Sequence, residues 1–368
     1  MNNSGNVRLE SFDFTKGVLI VMVVWGHFCA HSSGIGYEKN VLTSFIRLFQ
    51  MPLFIFISGY FQKRVISNSD FLKRIKKTIN HIGIPLLCWS IMATLVLYIL
   101  SLFGVCYYKF SAGIIGVIKA IYSSFRFYWF IPCLMLCIFL NSIISLICKR
   151  LSVKDGLLYF LSAVALLLVP NYLFHFQFMW PFFILGIYIR KNLHNTYVYS
   201  VLQGKSLGRL EPALFLLLGG VFLLSLFWPT KYTFYNIGNT LFIEGYGIVD
   251  ALILITLRQL LYITATILTL YYMLKFYSVF KDEKAIKYIS KIGQETLFIY
   301  MFHLIIVAYI FGIVVKYVTN SEGLLPNDSF LRYYVLDLIL TVIIICISHW
   351  LNGRIEKNKL MAKLLLGK

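Results

Sequence analysis

The chain has 368 residues, 59% of them hydrophobic and only 13% charged, a balance that excludes a soluble globular protein because a soluble surface needs far more polar cover. Its net charge of +19 is spread along the chain rather than gathered into one stripe, which excludes nucleic acid as the partner. An integral membrane protein is expected, its 17% aromatic residues supplying belts at the two interfaces.

The opening MNNSGNVRLESFDFTKG is polar, and no small-residue cleavage site follows the first apolar run. The N-terminus is therefore expected to stay in the cytoplasm, uncleaved. A helix needs about 20 apolar residues to cross a bilayer, and on that basis the expected spans are 14–32, 44–62, 82–103, 128–148, 155–170, 177–190, 211–228, 256–276, 293–316 and 331–351. Pro170 and Asn171 mark the turn between the fifth and sixth. A re-entrant piece is a further candidate at 110–124, where Gly113 and Gly116 interrupt an amphipathic run. The fold expected is all-α, a polytopic bundle of about ten helices in one domain over 1–368. Most of the 34 basic residues fall in alternate loops and in the two tails. The positive-inside rule then places both termini in the cytoplasm.

The first span carries the most informative pair. Lys16 and His27 are eleven residues apart, three α-helical turns, so they share one face about 16 Å apart along the axis. Asp13 falls near the same face and can hold the ammonium group of Lys16 by an i,i+3 contact. A titratable group at membrane depth points to function by default. The seven cysteines show no CxxC or metal-ligand spacing, so neither a disulfide nor a metal is expected. No GxSxG, HExxH, Walker or GxGxxG motif occurs.

FDFTKGVLIVMVVWGH (12–27) and FQMPLFIFISGYF (49–61) resemble the two opening helices of the acyltransferase-3 family of membrane O-acyltransferases, which includes bacterial polysaccharide and sugar O-acetyltransferases. FLKRIKKTINHIGIP (71–85), YWFIPCLML (128–136), WPFFILGIYIRK (180–191) and IGQETLFIYMFH (292–303) follow in the family's order. The resemblance spans the whole chain. It implies ten helices, a basic residue and a histidine separated by ten positions on the first helix (Lys16 and His27), and an Arg-x-x-Arg element matched by Arg74 and Lys77. Lys77 is a departure: an ammonium group is a point charge where a planar fork binds phosphate bidentately.

The implied chemistry is transfer of an acetyl group from acetyl-CoA to a hydroxyl of a surface glycan or its lipid-linked precursor, in the inner membrane and without a metal. His27 is the candidate general base, since an imidazole that removes the alcohol's proton as attack proceeds gives about 10² to 10⁴-fold; the competing reading is a core histidine bonded to a neighbouring helix. Lys16 and Asp13 stand beside it as candidate catalytic residues; Lys16 can also serve the donor phosphates or, paired with Asp13, simply brace the first helix. Lys73, Arg74 and Lys77 are the candidate phosphate ligands, against a plain positive-inside anchor. For the acceptor, Trp129 can stack on a sugar or anchor the interface. Glu295 and His303, eight residues apart, can line one cavity or bond between helices. Arg47, Arg126, Arg258 and Asp250 fall near the outer face, where they bind an acidic glycan or mark the interface. The alternative from another class is a secondary transporter or glycan exporter using intramembrane His and Arg, although no pair of broken helices in inverted repeat stands out.

Overall fold

The computed structural model describes residues 9–33, 40–104, 113–169, 174–193, 195–311 and 331–368, and among these all regular structure is helical. In chain order the helices are α1 (Glu10–Ser33), α2 (Val41–Ile46), α3 (Gln50–Tyr60), α4 (Asn68–Thr78), α5 (Ile84–Leu102), α6 (Gly113–Phe127), α7 (Phe130–Leu151), α8 (Asp155–Leu167), α9 (Phe176–Lys191), α10 (Thr196–Leu202), α11 (Glu211–Phe227), α12 (Ile248–Phe280), α13 (Lys284–Gln294), α14 (Thr296–Leu304) and α15 (Asp337–Ile355). Wider π turns extend α14 through Ile305–Phe311 and join α4 to α5 through Ile79–Gly83.

Seven helices among the described residues are long and apolar enough to cross a membrane. The α13–α14 pair, bent by 73° at Glu295, makes an eighth if it is one span. The spans expected at 155–170 and 177–190 are helices of 13 and 16 residues, and most of the end of the one expected at 293–316 lies outside the described residues, as do Pro170 and Asn171. Of the piece expected at 110–124, the described residues belong to α6, which packs along α5.

Two helices sit at the centre. α1 is buried along most of its length and packs against α3, α12, α13, α14 and α15. Ten of the eleven residues of α3 are buried. Each central helix crosses a neighbour at backbone contact. A Cβ on Gly59 would meet the Phe183 carbonyl, and one on Gly186 the Phe56 carbonyl, so only glycine lets α3 and α9 touch there. At the periphery α11 turns Phe215, Leu216 and Phe227 outward, the apolar exposure that lipid, not water, tolerates. Lys63 to Lys77 lie at one end of the bundle, here termed the basic end. α1 runs from that end to the opposite, far end, where the segment 228–247 joins α11 to α12.

Candidate active site

Two helix breaks build the far-end cavity. Between α2 and α3 the chain tightens, with Leu48 N–H donating to the Phe45 carbonyl (3.0 Å) and Phe49 N–H to the Ile46 carbonyl (3.2 Å); this turns Arg47 and Gln50 inward. Between α6 and α7 a second break presents Trp129. The cavity, about 270 Å³, is lined by His27 and Gly26 of α1, Arg47, Gln50, Met51, Trp129, Tyr300, and Thr233, Tyr235 and Asn236 of the 228–247 segment. Gln50 Oε1 has no hydrogen-bond partner among the described residues.

The His27 imidazole lies beside that of His303, ring centroids 5.3 Å apart. His303 is fully buried, and its Nδ1 lies 2.8 Å from the Ile299 carbonyl. A carbonyl only accepts, so Nδ1 carries the proton and Nε2 is left as a lone pair. That Nε2 has no partner among the described residues.

The far wall is held by Arg258. Its guanidinium, fully buried, donates to the carbonyls of Tyr232 (3.3 Å), Ile237 (2.8 Å) and Gly238 (2.8 Å) and to Asn239 Oδ1 (3.0 Å). Asn239 Nδ2 in turn donates to the Gln177 carbonyl at 3.2 Å, and Phe234 stacks on Phe178 at 4.4 Å. One arginine thus ties the segment that carries Thr233, Tyr235 and Asn236 to α9 and α12. Arg258, expected near the outer face, lies at the far end and is fully buried behind the cavity wall, where it binds backbone carbonyls.

A narrow slot of about 210 Å³ continues toward the basic end, lined by Lys16, Ile20, Met51, Phe54, Ser58, Phe130, Leu134 and Tyr300. Met51 and Tyr300 are walls of both slot and far-end cavity. Beyond the slot lies a basic-end cavity of about 530 Å³ with Gln62, Lys63, Arg64, Asp70, Lys73, Arg74, Lys77 and Ile138 on its walls. Ser58 and Gln62 are one turn apart on the same strand of backbone, and so are Leu134 and Ile138 on α7, so the two cavities stack along both. Arg74 is held in place by Gln62 Oε1 (2.7 Å) and the Lys63 carbonyl (3.1 Å).

The pattern of the acyltransferase domain matches residues 9–350. The chain belongs to the acyltransferase domain family. Among relatives, it is 26% identical over 209 residues to the nodulation protein NolL of Sinorhizobium fredii, which is 55% of this chain and 54% of that protein. It is 33% identical over 87 residues, 23% of each chain, to the nodulation protein NolL of Mesorhizobium japonicum. The first of these matches therefore spans about half the relative's length. No solved structure matches the chain.

The residues expected to form the site divide into two groups. His27, Arg47 and Trp129 line the far-end cavity, with His303 packed behind His27. Lys73, Arg74 and Lys77 line the basic-end cavity. Lys16 lines the slot between them and pairs with buried Asp13 at 2.8 Å. Glu295 and His303 are not brought together. Glu295 instead meets His349 of α15, with Nδ1 at 3.0 and 3.1 Å from its two oxygens, because Glu295 is the hinge residue of the 73° bend, its backbone non-helical at φ −107° and ψ 11°, so its side chain does not follow the face that α14 sets for His303. Among the described residues no group of three or more His, Cys, Asp or Glu converges as for a metal. Sequence reasoning missed Met51, Tyr300, Gln50, Thr233 and Asn236. Gln50 carried a signal, being the one amide in the apolar run 48–57, and Met51 and Tyr300 lie in the family-like segments 49–61 and 292–303; Thr233 and Asn236 carried none.

Proposed function

We propose that this chain is an inner-membrane O-acyltransferase of about ten helices in a single domain, with both termini and the basic end in the cytoplasm. It moves an acetyl group from acetyl-CoA to a hydroxyl of a cell-surface polysaccharide or its lipid-linked precursor. The observation that carries this reading is the line of cavities from Arg74 and Lys77 to His27, with Met51 and Tyr300 common to the last two. A long thin donor with phosphates at one end and a thioester at the other fits such a line. Arg74, Lys73 and Lys77 hold the phosphates by charge-assisted hydrogen bonds, the pantetheine arm occupies the apolar slot past Lys16, and the thioester reaches His27.

The acceptor enters from the far end, where Trp129 offers an aromatic face and Gln50, Asn236, Thr233 and Arg47 offer hydrogen-bonding groups. His27 takes the proton of the acceptor hydroxyl as its oxygen bonds to the thioester carbonyl carbon. The tetrahedral adduct then breaks its carbon–sulfur bond, and the departing thiolate takes the proton from the imidazolium. His303, with a fixed Nδ1–H, keeps the His27 ring from rotating into the apolar core. Asp13 neutralises Lys16, so the slot carries no unpaired charge past which a neutral thioester arm would have to move.

The test is direct. Purified protein in lipid nanodiscs, given acetyl-labelled acetyl-CoA and a glycan fraction from its own membranes, is expected to place alkali-labile label on the glycan. Label that stays on the coenzyme, or appears only as free acetate, contradicts the proposal.

A further inference from the structure

A second cavity at the basic end is not used by this mechanism. It measures about 510 Å³ and is lined by Gln62, Lys63, Arg64, Asn141, Ser145, Asp155, Tyr159, Arg190 and Lys191. Gln62, Lys63 and Arg64 are also walls of the Arg74 cavity, so the two are lobes of one trough divided by a three-residue ridge.

The cations of the second lobe are not all alike. Lys191 is ion-paired with Asp155. Arg190 is held without a carboxylate: its Nη1 donates to the Tyr60 carbonyl at 3.2 Å and its guanidinium packs over the Tyr60 ring at 5.6 Å. Arg64, exposed on the ridge, is in no ion pair among the described residues. The floor is polar and buried, formed by Asn141 and Ser145. Asn141 Oδ1 accepts from the Tyr159 hydroxyl at 2.6 Å, which fixes its amide and leaves the two N–H bonds of Nδ2 as donors. Two fixed or unopposed guanidinium groups above buried amide donors form an anion site by their chemistry.

The order of the lobes gives the ligand. α7 presents Leu134 to the slot, Ile138 to the Arg74 lobe, and Asn141 and Ser145 to the second lobe. These lie at i, i+4, i+7 and i+11, one face of one helix, so the three chambers follow one another along α7. Coenzyme A has the same order of parts: thioester and pantetheine, then a diphosphate, then a ribose bearing a 3′-phosphate.

We propose that the second lobe is the 3′-phosphate subsite of the donor, with Arg64 and Arg190 as its ligands and Asn141 as a supporting donor, while the Arg74 lobe holds the diphosphate. This rests on the donor reading above. It adds that the protein distinguishes coenzyme A from the same molecule without its 3′-phosphate, and names the residues that do so.

The measurement is equilibrium binding of coenzyme A and of 3′-dephospho-coenzyme A to the intact protein in nanodiscs. Wild type is expected to bind coenzyme A at least about tenfold more tightly, the scale of one charge-assisted contact. In Arg64→Gln and in Arg190→Gln that preference collapses toward unity, with affinity for the dephospho compound within about twofold of wild type. Arg74→Gln weakens both ligands and keeps the preference. Arg64 is exposed, so its variant guards against a folding defect in Arg190→Gln. Equal binding of the two ligands by wild type, or equal weakening of both by the Arg64 and Arg190 variants, overturns the subsite. Binding of neither ligand by wild type overturns the donor reading on which it rests.

Discussion

Met51 and Tyr300 stand where the slot meets the His27 cavity, and on the proposed reading their bulk sets what passes. Tyr300 is buried among Tyr128, Phe130 and His303, whereas Met51 is unbranched and adapts to its surroundings. A larger group at position 51 narrows the junction without touching the phosphate ligands. Met51→Trp is therefore expected to lower acetyl transfer by at least about tenfold while coenzyme A affinity stays near wild type, at a stability cost of about 1–3 kcal/mol from overpacking. Steady-state kinetics beside ligand titration check this, and an unchanged transfer rate would show that the thioester does not pass here. Lys16 also reads differently in three dimensions. Its spacing to His27 was visible in the chain, and in the fold it pairs with buried Asp13 at 2.8 Å and lines the slot.

The 228–247 segment behaves as an element although it has little regular structure. Its order comes from Arg258, whose removal leaves three carbonyls and the Asn239 side chain without their donor; each such loss costs about 1–3 kcal/mol. Arg258→Met is expected to lower thermal stability by several degrees and to raise KM for the acceptor more than for acetyl-CoA, because the wall it holds faces only the far-end cavity. Equal effects on both KM values would remove its role in positioning that wall. His175, at the start of α9, supplies a pH handle on the same region. It sits edge-on to Trp129 (4.9 Å), Phe234 (5.3 Å) and Tyr235 (5.6 Å), and burial pushes it down to about 4, against a hydrogen bond at Phe234 and with help from the Arg258 charge. The folded protein thus binds this proton less readily than the unfolded chain, where the group titrates at 6.5. Its contribution is complete above pH 6.5 and lost as pH falls toward 4, by at most about 3 kcal/mol. The difference in thermal stability between wild type and His175→Phe should shrink or reverse along that interval, and a constant difference contradicts the assignment. Arg258 was visible as a polar residue near one face, but its grip on the 228–247 segment was not. Apolar runs announce helices because a bilayer demands them, whereas a polar connection folded back by one buried guanidinium leaves no periodic trace.

For the molecule as a whole, the helical class and most of the apolar spans were legible in the sequence, as were His27 and the Arg74 cluster, the two ends of the line of cavities. Helical spacing placed Lys16 and His27 well because α1 is continuous. It misplaced Glu295 relative to His303 because Glu295 is the hinge of a 73° bend and stands outside the helix that carries His303, and a helical repeat holds only within one helix. The juxtapositions that join the ends, Met51 with Tyr300 and the face of α7 shared by three chambers, arise from packing between helices distant in the chain. On the proposed reading, donor phosphates and catalytic base are two separate sites, so binding and chemistry should be separable by mutation. The measurement that tests this most directly is acetyl transfer and coenzyme A binding by His27→Ala that inserts and folds as wild type does. Transfer is expected to fall by about 10² to 10⁴-fold with coenzyme A affinity unchanged; transfer at the wild-type rate would contradict the account.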